Sequence, residues 1–156
     1  MPSRGVIRPA RPGDIKGILS IEQKCFPDHL AYTRRQYWYL LTKAHRTFLV
    51  ETQGKQLRGF IVILYRKGTT VAGLETIDVD PDFQHHHIAS RLLQAAEQQA
   101  KKKGMNTMRL EVSVTNRPAL ALYNKHHYQK VAVLKNYYLY PHDGSTDVFR
   151  MSKSLI

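Results

Sequence analysis

Apolar residues recur along the chain with two periods, one near 3.6 residues and one of 2, and the switches between them mark out the elements. Gly5–Arg8 has the pattern of a short strand. Pro12 and Gly13 break it, and Asp14 then stands as an N-cap for a helix over Ile15–Cys25. Within that helix Ile15, Ile18, Leu19 and Glu22 follow helical spacing, and Phe26-Pro27 ends it. Thr33 and Gln36 form a capping-box pair ahead of Tyr37–Leu41, which predicts a second helix from Thr33. Thr47–Glu51 and Phe60–Tyr65 are rich in β-branched and aromatic residues and flank Gln53-Gly54, the pattern of an antiparallel hairpin. Leu74–Val79, closing on Asp80-Pro81, is a third strand beside them.

The next stretch changes the fold class. Leu74–Val79 passes through a tight turn, Asp80–His87, into a helix over Ile88–Lys103, with Ile88, Leu92, Leu93, Ala96 and Ala100 on one face. Lys101–Lys103 and Gly104 supply its C-terminus, and a strand over Thr107–Val114 follows at once. Strand, helix and strand at this spacing form a βαβ unit with parallel strands. A short helix over Arg117–His126 and strands over Tyr128–Tyr138 and Val148–Met151 complete the pattern. The expected fold is α/β (α+β): a mixed, mostly antiparallel sheet with a central parallel pair, flanked by helices. No repeat or linker divides residues 1–156, which reads as a single domain.

Composition narrows the function classes. Of 156 residues 42% are hydrophobic, enough for a core and too many for a disordered chain. No apolar run approaches the roughly 20 residues needed to span a bilayer, and the stretch MPSRGVIRPARPGD lacks the apolar centre of a leader. The one cysteine, Cys25, excludes an internal disulfide framework and fits a reducing, cytoplasmic setting. Against 12 acidic residues stand 24 Lys and Arg, a net charge of +12. That balance suits nucleic acid, ribosomes or a polyanionic ligand such as a coenzyme, and equally a solvated basic surface. No helix-turn-helix, finger or aromatic RNA-binding signature accompanies the charge, so direct nucleic-acid binding is not expected.

Two places carry candidate chemistry. A helix beginning just past the carboxyl end of a strand aims unpaired N–H groups at the crevice there, so the backbone of His85–Ala89 could hold an anion, although every α/β protein has such helix starts. In the strand that follows, Met108, Leu110, Val112 and Val114 share one face and Arg109, Glu111 and Ser113 the other. Glu111 is a mid-strand carboxylate where strand propensity disfavours it. It is either a partner of Arg109 on a solvated face or a general base in a cleft.

Taken in order, these residues resemble a known family. Val79-x-Pro81-x-Phe83-Gln84 leading into an amphipathic helix is similar to the acetyl-CoA motif of the GNAT superfamily of N-acetyltransferases. Leu110-Glu111-Val112-x-x-x-Asn116-x-x-Ala119-x-x-Leu122-Tyr123 resembles the second motif of its ribosomal-protein-alanine N-acetyltransferase (RimI-type) and Ard1-type branch. Ile21-Glu22-Gln23, Phe26-Pro27 and Asn136-Tyr137-Tyr138 fit the same branch, so the resemblance extends from Ile7 to Met151. It implies acetyl-CoA as co-substrate, with no metal. It further implies that the backbone of Ile77, Asp78 and Val79 pairs with the pantetheine arm. Gln84 and the loop His85, His86, His87, Ile88, Ala89 and Ser90 would hold the pyrophosphate, and Asn116 would contact the coenzyme near its thioester. Glu111 would accept the proton of the incoming ammonium, directly or through water, and Tyr123 would donate one to the departing thiolate. Phe26, Pro27, Tyr137 and Tyr138 would wall a peptide slot. The implied acceptor is a primary amine, foremost the N-terminus of a protein such as a ribosomal protein. A small amine or a lysine side chain is the neighbouring alternative, and the enzyme would be a monomer or homodimer.

Two positions depart from the family pattern. His87 stands where the phosphate loop expects its first Gly, and His127 replaces a Gly expected after Tyr123. These losses motivate a second alternative, a degenerate domain that binds without turnover. Five of the eight histidines lie in His85–His87 and His126–His127. Adjacent imidazoles seldom reach one ion and no carboxylate or thiol cluster supports them, so no zinc site is expected. Charged imidazoles could instead neutralise coenzyme phosphates, a contribution that fades as pH rises.

Overall fold

The computed structural model describes residues 5–156. Its strands are β1 (Val6–Pro9), β2 (Arg46–Gln53), β3 (Gln56–Tyr65), β4 (Val71–Val79), β5 (Thr107–Ser113), β6 (Gln129–Leu134) and β7 (Val148–Ser154). The helices are α1 (Ile15–Cys25), α2 (Arg34–Thr42), α3 (Ile88–Lys102) and α4 (Arg117–Lys125), with short 3-10 turns at Pro12–Asp14 and Pro81–Phe83. The strands form one sheet in the order β1-β2-β3-β4-β5-β7-β6. Only β4 and β5 run parallel; every other neighbouring pair is antiparallel. Among the described residues no helix is long and apolar enough to cross a membrane.

The sheet has a core on each face. On one side Ile15, Ile18 and Ile21 of α1 and Tyr37, Leu40 and Leu41 of α2 pack on Phe48, Val50, Phe60 and Val62. On the other, α3 lays Ile88, Leu92, Leu93, Ala96 and Ala100 against Ile61, Ile63, Leu110 and Met151, with Tyr123 of α4 joining them. Burying each of the larger aliphatic side chains contributes about 1.5–3 kcal/mol. α3 can lie this close because Gly59 has no side chain. A Cβ there would sit 3.0 Å from the Asp78 carbonyl oxygen and 3.1 Å from Ile88. Arg91, one turn into α3, donates to the buried Glu51 carboxylate at 2.7 Å, and Arg58 pairs with the same group. Burial alone would lift the Glu51 carboxyl; the two guanidiniums hold it below its ordinary range.

β4 and β5 pair through only three residues: Val71 with Thr107, Ala72 with Met108 and Gly73 with Arg109. Past that point β4 keeps only β3 and β5 keeps only β7, so the sheet parts into a cleft. A bulge accounts for the turn of β4. Val62 opposes Thr76 and Ile63 opposes Leu74, which leaves Glu75 as an extra residue in the ladder. Such an insertion bends and twists its strand.

Most predicted elements form within a residue or two of the expected bounds. Thr33 caps α2 with its side chain accepting from the Gln36 N–H, and Gln36 returns the bond. Five expectations need correction. β3 begins at Gln56, four residues before the predicted Phe60, and β4 at Val71, three before Leu74. Asp14 does not cap α1 with its side chain. Its carboxylate takes the Arg11 N–H at 2.7 Å and the Arg8 guanidinium at 2.8 and 2.9 Å, and the Arg8 bond holds it below the usual carboxylate range. The strand expected over Tyr128–Tyr138 is shorter and ends at Leu134. Asn136 there turns left-handed (φ 55°), its N–H held by Asp147 at 2.9 Å, and the chain leaves the sheet. β7, in turn, runs three residues past the predicted Met151, to Ser154.

Candidate active site

The cleft between β4 and β5 has two unpaired backbone edges and a helix start at its mouth. The first intrahelical bond of α3 runs from the Arg91 N–H to the His87 carbonyl at 3.1 Å, so the N–H groups of Ile88, Ala89 and Ser90 have no helical partner. His87 precedes them in the left-handed conformation (φ 59°, ψ 22°), and His85 is left-handed too (φ 68°). His127 shares that conformation (φ 70°). The histidines at the two expected Gly positions therefore keep the backbone path that Gly takes, at a cost of about 1–2 kcal/mol each. Gln84 and His85–His87 are exposed, whereas Ile88 is buried. The Ser90 hydroxyl lies 3.0 Å from Nε2 of His126, whose pKa burial lowers. Two open strand edges and a helix N-terminus behind a left-handed turn fit a long, amide-bearing, phosphate-bearing coenzyme. Among the described residues no group of three His, Cys, Asp or Glu is arranged to hold a metal ion.

Glu111 lies on the β5 side of the cleft. The Tyr137 hydroxyl donates to its Oε1 at 3.3 Å, and Oε2 lies 3.6 Å from Arg150 Nε and 3.8 Å from Arg109 Nε, without a hydrogen bond. Of the two sequence readings of Glu111, the neighbourhood of Arg109 is what these contacts contain. Burial, then Glu111, pushes Tyr137 up, and burial lifts Tyr138 to about 12. Tyr123 is buried among core residues with its ring 5.7 Å from that of Tyr128. Burial holds its phenol protonated far above the ordinary value, with further contributions from Tyr138 and Asp78. Asn116 caps α4, its side-chain oxygen accepting the Ala119 N–H at 3.3 Å, which leaves its amide donors for a ligand.

The other wall comes from the loop between α1 and α2. The Cys25 thiol donates to the Val79 carbonyl at 3.4 Å and Lys24 pairs with Asp80 at 3.0 Å, which fastens the end of α1 to the end of β4. Burial raises Cys25 to about 12, so the thiol is inert. Half-buried Phe26 and exposed Pro27 begin the loop, and His29 meets Tyr140 edge-on at 6.0 Å, bringing it against the β6–β7 connection that carries Tyr137 and Tyr138. Tyr32 closes the loop on β4: its hydroxyl donates to Glu75 Oε1 at 2.5 Å and its N–H to Glu22 Oε2 at 2.8 Å. Tyr37 donates to the other Glu22 oxygen at 2.6 Å.

The structure brings Glu111, Tyr137 and Tyr138 together. It also sets Ile88–Ser90 and Ile77–Val79 at one end of the sheet. The carboxyl group of Asp78, expected only to lend its backbone, is buried on the α1–α2 face, bonded to Thr76 at 2.8 Å with Oδ2 unpartnered. Sequence reasoning missed Tyr32, Glu75 and Arg150. The signal for Glu75 was the same as for Glu111, a carboxylate inside a strand.

A sheet parted at its parallel pair, with a helix aimed into the parting, is the architecture of acyl-coenzyme A transferases. The chain belongs to the acetyltransferase (GNAT) family, whose model matches residues 15–128. It is 31% identical to an N-alpha-acetyltransferase of Saccharolobus solfataricus, over 96% of this chain and 92% of that one. It is 27% identical to a putative ribosomal protein bS18-alanine N-acetyltransferase of Bacillus subtilis, over 88% and 89% of the two chains. Ard1 from Thermoplasma volcanium superposes with a TM-score of 0.87 at 28% identity, over 99% of each chain.

Proposed function

We propose that the chain moves the acetyl group of acetyl-CoA onto a primary amine, the N-terminal α-amino group of a protein, with a ribosomal protein as the foremost candidate. The observation that carries this reading is the cleft beyond Gly73 and Arg109, with Glu111 and the Tyr137 hydroxyl at its side. Acetyl-CoA supplies an activated acyl group and a thiolate leaving group. The unpaired edges of Leu74–Val79 and Leu110–Ser113 hold the coenzyme's amide arm, and the N–H groups of Ile88–Ser90 hold its phosphates. The left-handed His87 and His127 support turnover over the degenerate-domain reading, because the backbone path that Gly would take is kept.

Glu111 serves as the base. An α-amino group loses its proton near pH 7.7–8.0, so a carboxylate need carry away only one weakly held proton, directly or through water. Tyr123 stays protonated and can donate to the departing thiolate. The names of the relatives, an N-alpha-acetyltransferase and a bS18-alanine N-acetyltransferase, favour a protein N-terminus over a small amine.

Calorimetry with acetyl-CoA followed by a screen of N-terminal peptides tests the reading. Micromolar binding and release of free thiol with at least one peptide are expected. Glu111→Gln should keep coenzyme affinity and lower turnover about 100-fold. Unchanged turnover in that variant removes Glu111 from the role, and no coenzyme binding at all overturns the assignment.

A further inference from the structure

We propose that Glu75 is the residue that receives the positively charged amine of the acceptor, its carboxylate presented by the bulge in β4 and fixed by Tyr32. The inference rests on the amine-acetylating reading above and names the group that recognises the amine.

Three observations carry it. First, Glu75 is the residue the ladder leaves over between Thr76 and Leu74, and it is exposed in the middle of a strand whose neighbours are at least partly buried. Bulges re-aim a side chain in this way beside sites. Second, its carboxylate is held but not neutralised. Oε1 accepts from Tyr32, while among the described residues no Lys, Arg or His lies within ion-pair distance of either oxygen. Its charge is therefore open to a cation that arrives from outside. Glu111 differs: its Oε2 faces the guanidiniums of Arg150 and Arg109 at 3.6 and 3.8 Å, which repel an arriving ammonium. Third, the two carboxylates stand on the facing open edges of the sheet. Gly73 and Arg109 are the last parallel pair, and Glu75 on β4 and Glu111 on β5 each lie two residues beyond it. Glu75 and Glu111 therefore flank the same parting.

A division of labour follows. Glu75 docks the ammonium and Glu111, across the slot, takes its proton. Tyr32 is a positioning residue. Its backbone is fixed on Glu22, its ring lies 5.4 Å from that of Tyr37, and its hydroxyl sets the Glu75 carboxylate.

The test compares peptides with a free N-terminus against the same peptides N-acetylated, by calorimetry, with and without saturating desulfo-coenzyme A. Peptides beginning with Met, Ala and Ser are used. Wild type is expected to prefer the free amine by about 10-fold or more, the scale of a hydrogen-bonded charge contact. Glu75→Gln should abolish that preference and Glu111→Gln should keep it. Tyr32→Phe should raise KM for the peptide with kcat unchanged. A preference that survives Glu75→Gln, or none in wild type, overturns the inference. Desulfo-coenzyme A binding is read in the same titrations and thiol release in a parallel assay, so a failure of the acetyltransferase reading registers separately.

Discussion

Asp78 sits opposite Phe60 in the ladder, within the core that α1 and α2 cover. Burial raises its carboxyl well above the ordinary value, and the nearby Glu22 adds to the rise. An unfolded chain releases this proton near pH 4. Between that pH and the raised folded value the native state holds the extra proton, so this group makes stability fall as pH rises. Asp78→Asn, which keeps the bond from Thr76, should therefore raise Tm at neutral pH by about 2–6 °C, a shift that corresponds to roughly 1–2 kcal/mol in a chain this size. The gain should shrink toward zero as thermal scans move below pH 4; a gain independent of pH would mean the carboxyl is charged when folded. Sequence reasoning saw Asp78 only as backbone, because strand alternation tells which face a residue shares but not how deep that face lies. It found Glu111 by its misfit with strand propensity and passed over Glu75, which has the same misfit, because a bulge leaves no mark in the sequence.

Helices and their ends were legible. The Thr33/Gln36 box, the apolar stripe of α3 and the break at Phe26-Pro27 act through neighbours three or four residues apart. The end of β6 was not legible, since it depends on Asp147, eleven residues beyond Asn136, holding that residue's N–H. The seat of α3 is equally non-local: Gly59 is ordinary in the sequence and becomes specific only once Ile88 and Leu92 lie on it, at 3.1 and 3.3 Å from where its Cβ would be. Gly59→Ala is expected to cost about 1–3 kcal/mol by overpacking and to shift the start of α3. Urea unfolding reads the first effect and acetyl-CoA titration the second. Weakened coenzyme binding in a variant far from any ligand contact is the expected sign that the sheet positions the helix N-terminus.

At the scale of the whole molecule, the βαβ reading named the parallel neighbours but placed the first strand at Leu74–Val79, past the residues Val71–Gly73 that pair, and did not foresee the parting. Length and periodicity say that two strands are neighbours; where they cease to be depends on twist accumulated from the bulge at Glu75. Three residue pairs, Val71–Gly73 with Thr107–Arg109, are all the strand pairing that joins the β1–β4 half of the sheet to the β5–β7–β6 half. Acetyl-CoA bound along both open edges should slow amide hydrogen exchange in Leu74–Val79 and Leu110–Ser113 together, and through them at the three-residue seam. Protection confined to α3 would argue against a ligand lying between the strands. Strand pairing between the halves is thus sparse, and the core under α3, which packs on Ile61 and Ile63 of one half and on Leu110 and Met151 of the other, carries the rest of the connection. A ligand hydrogen-bonded to both open edges would add pairing across the seam where the chain supplies none. At a thousand times its dissociation constant a ligand adds about 4 kcal/mol to the folded state. A bound coenzyme would thus act as the strand that the sheet leaves out.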